Sequence, residues 1–277
     1  MSRPLGAGAL PAEAIGRAAS LTVVMPALDE QANIEDSIRS VLAGFERHGI
    51  DGELVVVNDG SRDGTAKIAE KLKASDPRIR VIHHDAPRGV GAAFWEGAQI
   101  AAKEFVTMIP GDNENNPDEV LLYLYLARDV DIIVPFVANV EVRSKSRRLL
   151  SSLYRLIVNL SFGTNLNYTN GTVAYRSCLL KGIQLSSKGF FYQTELLVRL
   201  IRAGYLFAEV PHFLQKRQTG RTKALTLKSF FFVVRSYLKL FSDVHLARSI
   251  GQSNLRLHPE SATARRTVSL TSSELSR

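Results

Sequence analysis

Short apolar runs recur through the first half of the chain, each closed by a proline, glycine or acidic turn and each followed by apolar positions at helical spacing. Residues 21–25 are β-branched and apolar without alternation and stop at Pro26, the pattern of a strand buried on both faces. Asp29 or Asn33 then caps a helix that carries Leu42 and Phe45. The unit repeats: a strand at 53–57, a turn at 58–61 and a helix at 63–73; a strand at 80–83 and a helix at 89–103. A strand at 105–109 is stopped by Pro110, and a helix at 118–127 leads to a strand at 131–136. Such alternation predicts an α/β fold, a Rossmann-like, mostly parallel sheet with helices on both faces. Ligands of such sheets collect at the carboxyl ends of the strands, where loops and helix amino termini face one crevice.

With 277 residues and 45% hydrophobic content, the chain can bury one sizeable core. The organisation read from it is a flexible arm over 1–20, a single catalytic domain over 21–245 and a disordered tail over 246–277 that is rich in Ser, Thr and Arg. The domain divides into a nucleotide-sugar half, 21–136, and an acceptor half, 137–245. No run approaches the apolar length that crosses a bilayer, and the first residues lack the apolar block of a secretory signal. The lone Cys178 excludes an internal disulfide or a thiolate cage, which points to a core position in a reducing, cytoplasmic setting. Trp95 and the six histidines form no cluster along the sequence.

The net charge of +8 is concentrated in two segments. One holds Arg143, Lys145, Arg147, Arg148 and Arg155, and the other Arg217, Arg221, Lys223, Lys228, Arg235 and Lys239. Either is a solvated face or a seat for an anion. Acids at the strand ends and few aromatics among the basic clusters argue against nucleic acid.

Polar motifs fall at each strand end. Pro26-Ala27-Leu28-Asp29-Glu30 follows the first strand and Asn58-Asp59-Gly60-Ser61 the second, offering carboxylates either to a nucleoside or to helix caps. Arg88-Gly89-Val90-Gly91-Ala92-Ala93 lets backbone approach a phosphate or sugar at a helix start, without the full dinucleotide fingerprint. Pro110-Gly111-Asp112-Asn113-Glu114 can present Asp112 and Glu114 as hard oxygen ligands for Mg²⁺ or Mn²⁺ beside a diphosphate.

In this order the four loops resemble family-2 glycosyltransferases of GT-A fold, in the branch of dolichyl-phosphate mannosyltransferase and the bacterial polyprenyl-phosphate glycosyltransferases. The resemblance implies that Pro26, Leu28 and Glu30 surround the nucleotide base of a nucleoside diphosphate sugar and that Asp59 contacts it. It implies that Gly89 and Ala93 meet the nucleotide sugar and that Asp112, with Glu114, holds the metal. It further implies that Arg217 and Lys223 belong to a basic loop that closes over the diphosphate, and that Glu195 is an acid near the acceptor end. The first acid of the family's Asp-x-Asp motif is Pro110 here, which leaves an Asp112-centred site assisted by Glu114.

Arg147 and Ser151 stand four apart, hence on one helix face, as do Arg148 and Ser152. An Arg and Ser at this spacing resemble the acceptor-phosphate site of that branch, to which the Arg147 and Ser151 pair is assigned. Asn167 replaces an acid of the relatives and cannot serve as a base, whereas a phosphate monoester is already largely dianionic at neutral pH. The expected activity is inverting transfer of a hexose to a polyprenyl phosphate by a peripheral protein on the cytoplasmic membrane face, an amphipathic helix over 225–241 lying on the lipid. The alternatives are transfer to a saccharide or protein hydroxyl, for which Glu195 would be the base, and a non-catalytic nucleotide-sugar-binding protein.

Overall fold

The computed structural model describes residues 19–169, 171–181, 183–187, 189, 191–213, 227–246 and 257–274. Seven strands form one sheet in the order β3-β2-β1-β4-β6-β5-β7. They are β1 (Leu21–Ala27), β2 (Gly52–Asn58), β3 (Ile79–His83), β4 (Phe105–Met108), β5 (Ile132–Val137), β6 (Ala174–Arg176) and β7 (Phe207–His212). All neighbours are parallel except the short β6, which is antiparallel to both β4 and β5.

The β-branched runs read as strands because both faces are covered. Along β1, Leu21, Val23 and Met25 pack under α1 (Ile34–His48) and α2 (Thr65–Lys73), while Val24 faces the opposite layer. That second layer is α3 (Val90–Gln99) and α6 (Tyr192–Arg202), with Phe94, Tyr192 and Leu196 on the sheet. Close packing fixes small residues there: a Cβ on Gly97 of α3 would come within 2.6 Å of Val24. Ala93 is fully buried in the same layer, where its small side chain lets the start of α3 pack closely on the sheet.

The expected helix at 118–127 is a short α4 (Asp118–Leu121) followed by 3-10 turns over Leu124–Arg128. Beyond β5, α5 (Lys145–Phe162) and α7 (Leu227–His245) pack together through Val158, Phe162, Leu240 and Val244. Tyr154 joins that layer, where burial raises its phenol pKa to about 12 and its hydroxyl meets that of Thr194 at 2.8 Å.

Part of the supposed disordered tail, 257–274, is ordered and ends in α8 (Ala262–Glu274). Its start is held by Asp131, a fully buried carboxylate that accepts the Ala262 amide at 2.7 Å, the Thr263 amide at 3.0 Å and the Thr263 hydroxyl. Arg176 Nε pairs with the same carboxylate at 2.8 Å. A buried anion at a helix amino terminus satisfies orphan amides and complements the helix dipole. The arm expected over 1–20 lies outside the described residues save for Ala19 and Ser20.

Candidate functional site

Strand order reverses direction at β1, with β2 and β3 on one side and β4 on the other. The loops that leave β1 and β4 therefore diverge and open a crevice at their carboxyl ends. The first two loops are laced together across it. The Arg62 amide donates to Asp29 Oδ1 at 2.8 Å, the Gly64 amide to Gln31 Oε1 at 2.7 Å, and the Gln31 amide to Asp63 Oδ2 at 3.0 Å. Burial pushes the Asp63 carboxyl up, but the Thr65 hydroxyl and amide and the Gln31 amide outweigh it and hold the group below its usual range. Asp29 takes a left-handed backbone, φ 55°, to make this contact. Pro26 is buried at the end of β1, its carbonyl accepting the Gly111 amide at 3.0 Å, while Leu28 projects outward. Half-buried Glu30 receives the Asn33 side-chain amide at 2.9 Å, so its carboxylate also helps to start α1.

Asp59 is tied into the third loop. Its Oδ1 accepts from His84 Nδ1 at 2.6 Å and the Arg88 amide at 2.8 Å, and its Oδ2 accepts the Gly89 amide at 2.9 Å. With 5% of the residue accessible and three donors in place, Asp59 shapes the third loop. Gly89 adopts φ 95°, a backbone state open to glycine, at the start of α3. His84 in turn reaches Glu96 at 3.1 Å, forming an Asp59-His84-Glu96 chain, buried at its first two members and open at Glu96, that linear reading missed. The only signal was a histidine pair directly after a strand. Asp59→Asn keeps the shape but removes an acceptor of charge-assisted hydrogen bonds, each contributing about 1.5–3 kcal/mol. The expected result is a donor KM raised about 10- to 100-fold with a smaller change in kcat, checked by steady-state kinetics.

The fourth loop follows β4. Gly111 sits where a Cβ would come within 2.7 Å of Ile34, which lets the chain turn over α1 and present Asp112. The Glu114 amide returns to Asp112 Oδ1 at 3.1 Å, and Asn113 between them is left-handed, φ 56°. Asp112 and Glu114 thus share one tight turn at the crevice mouth. A pair of carboxylates on such a turn fits Mg²⁺ or Mn²⁺, which take hard oxygen ligands and leave positions for phosphate oxygens.

On the acceptor side, Arg143 lies against Tyr168, its guanidinium 5.3 Å from the ring centre and 3.0 Å from the hydroxyl. Arg155 reaches the Asn167 carbonyl at 3.4 Å. Arg147 and Ser151 fall between these two arginines at four-residue steps on α5, so the helix edge that borders the 167–168 turn carries them. The Ser151 hydroxyl donates to the Arg148 carbonyl at 3.0 Å. Asn167 is clamped by Glu209, its backbone amide to Oε1 at 2.7 Å and its Nδ2 to Oε2 at 2.8 Å. An aspartate at 167 would face that carboxylate, which accounts locally for the loss of the acid.

Glu195 is 1% exposed, accepts the Ser186 and Ser187 amides at 3.0 Å each and pairs with Arg199, contacts that anchor the 186–187 turn to α6. Its neighbour Gln193 turns the other way, its amide donating to the Gly171 carbonyl. Arg217 and Lys223 lie outside the described residues.

The sequence model of the family described as glycosyl transferase family 2 matches residues 22–184, a span from β1 past β6 that contains all four donor loops. The undecaprenyl-phosphate mannosyltransferase of Micrococcus luteus is 29% identical over 185 residues, covering 62% of this chain and 76% of that protein. The polyprenol monophosphomannose synthase of Mycolicibacterium smegmatis is 29% identical over 235 residues, covering 80% and 86%. Among solved structures, glucosyl-3-phosphoglycerate synthase from Mycobacterium tuberculosis in complex with UDP superposes with a TM-score of 0.63 at 21% identity over 87% of each chain, which shows a shared fold. With the ordered donor loops, the reversal of strand order and a family match over more than half its length, the chain belongs to the family-2 glycosyltransferases and has their GT-A fold.

Proposed function

We propose that this enzyme transfers a hexose from a nucleoside diphosphate sugar to a polyprenyl phosphate at a membrane surface, with inversion at the anomeric carbon. The observation that carries the acceptor assignment is α5. One edge holds Arg147, Ser151 and Arg155, with Arg143 just before the helix and Arg155 reaching the 167–168 turn, while Leu149, Leu153, Leu156 and Leu160 form a stripe on the opposite face. Leu149 and Leu160 are 72% and 76% exposed, an apolar stripe that a soluble surface rarely leaves uncovered. Phe232 and Leu238 of α7 are exposed as well. An anionic head group in the crevice with its hydrocarbon along an apolar helix face is the geometry of a lipid phosphate at a bilayer. No helix among the described residues is long and apolar enough to cross a membrane, which fits peripheral attachment. The two similar proteins whose names specify a polyprenol or an undecaprenyl phosphate support the same class.

In the reaction, a phosphate oxygen of the acceptor attacks the anomeric carbon from the face opposite the diphosphate. The bond from that carbon to the diphosphate oxygen breaks, and its electron pair leaves with the nucleoside diphosphate. A dianionic phosphate needs orientation and no base, consistent with Asn167 and with a buried Glu195. Arg147 and Ser151 orient the acceptor, and the loop anchored by Asp59 positions the sugar. Asp112, assisted by Glu114, would hold Mg²⁺ or Mn²⁺, which would neutralise charge developing on the diphosphate. Arg217 and Lys223 are assigned to the diphosphate from the sequence.

Arg147→Ala is expected to raise the KM for polyprenyl phosphate about 10-fold or more, the size of one lost charge-assisted hydrogen bond, while the donor KM stays unchanged. An equal rise in both constants, or no change in either, contradicts the acceptor role.

A further inference from the structure

We propose that Cys178, His258 and Glu260 form a binding site for one zinc-class divalent cation, separate from the catalytic metal, that clasps segment 257–274 to the catalytic domain. One ligand atom from each residue, the Cys178 sulfur, an imidazole nitrogen and a carboxylate oxygen, lies within 4.8 Å of the other two. Tetrahedral zinc places its ligand atoms roughly 3.3–3.8 Å apart, so side-chain rotations of about 1 Å close the set, with water in the fourth position. Sulfur and imidazole together select zinc-class ions over the hard cations that suit Asp112.

The three ligands come from distant parts of the chain and are already held near one another. Cys178 lies in the 3-10 turn Ser177–Leu180 directly after β6 and is buried. The adjacent Ser177 amide is fixed to the Glu104 carbonyl at 2.8 Å. His258 is placed by its own amide, which donates to the Tyr205 hydroxyl at 3.1 Å, and the Glu260 amide reaches His258 Nδ1 at 3.3 Å. The Asp131 contacts to Ala262 and Thr263 bring this segment back to the domain just beyond.

Position separates the site from the donor crevice. Glu104 precedes β4 whereas Asp112 follows it, so the cluster lies at the opposite end of that strand. A bound cation would take the Cys178 sulfur as thiolate and release its proton to solvent.

The chain has a single cysteine, which makes the test specific. Full-length protein carrying no polyhistidine tag is stripped with chelator and titrated with Co²⁺, and the sulfur-to-cobalt charge-transfer band in the near ultraviolet is recorded. Cobalt on the oxygen ligands Asp112 and Glu114 gives no such band, so any band reports Cys178. The expected result is a band saturating at one Co²⁺ per chain, bleached by equimolar Zn²⁺ and absent in Cys178→Ser. His258→Ala and Glu260→Gln, on the less buried side, should weaken Zn²⁺ competition by at least about 10- to 100-fold, the loss caused by removing even an outer-shell partner. Absence of the band in the wild-type chain overturns the site. A band unchanged in His258→Ala shows sulfur binding a metal without this cluster and overturns it too.

Discussion

Asp112→Asn should lower kcat/KM by about 10³-fold. A Lewis-acid cation contributes several kcal/mol of stabilisation to a departing diphosphate, and each 1.4 kcal/mol or so is a factor of ten in rate. Because Pro110 has replaced the first acid of the motif, Asp112 is the carboxylate that remains beside the β4 end, and Glu114 is tied to it through the turn. The loss should be partly rescued by raising Mn²⁺, since an amide oxygen is still a weak hard ligand. Glu114→Gln should cost less, about 10-fold, and shift mainly the metal concentration for half-activation. Metal titrations of the three proteins at saturating donor check this. An Asp112→Asn enzyme with wild-type turnover at low Mn²⁺ contradicts the assignment.

Asp131→Ala should be the most destabilising single change outside the crevice. It takes from the buried Arg176 guanidinium one of its two carboxylate partners, Glu104 remaining, and strips three donors at the start of α8 of their acceptor. Breaking a buried ion pair from one side costs about 3–5 kcal/mol. At roughly 2–4 °C per kcal/mol for a domain of this size, the melting temperature should fall by about 10 °C or more. Asp131→Asn retains one acceptor and should lose less. Limited proteolysis separates the consequences: the variant should be cut near 257–262 under conditions that leave the wild type intact. Arg176 remains beside Glu104 and over the Phe105 ring, 4.7 Å from its centre, so the sheet should keep its shape when α8 is released.

The first six alternating elements were legible because their information is local. Strands β1, β2 and β4 are largely apolar runs bounded by breakers and buried on both faces, so no polar alternation blurred the pattern; only the edge strand β3 is part-exposed. The donor loops were legible for the same reason, since a strand end and the following helix start fix where a loop points. What was misread depends on partners far along the chain. α8 is polar along its length and would not be called a helix from its own composition; it stands on Asp131, more than 130 residues earlier. Glu195 looked like a cleft acid but turns toward Ser186 and Ser187, because positions 193 and 195 point to different sides of α6. The contacts by which Asp59 fixes the third loop and Ala93 packs α3 on the sheet were likewise invisible along the chain. His84 became visible only when β3 laid it beside β2.

The central claim is the acceptor, and product mass measures it most directly. Purified protein is incubated with Mn²⁺, a panel of UDP- and GDP-hexoses, and polyprenyl phosphate in anionic vesicles, beside sugar-alcohol and small phosphorylated acceptors in parallel reactions. The account predicts one hexose added to the polyprenyl phosphate from at least one donor, with no comparable product on the soluble acceptors. Transfer to a hydroxyl acceptor with no polyprenyl-linked sugar from any donor would contradict it.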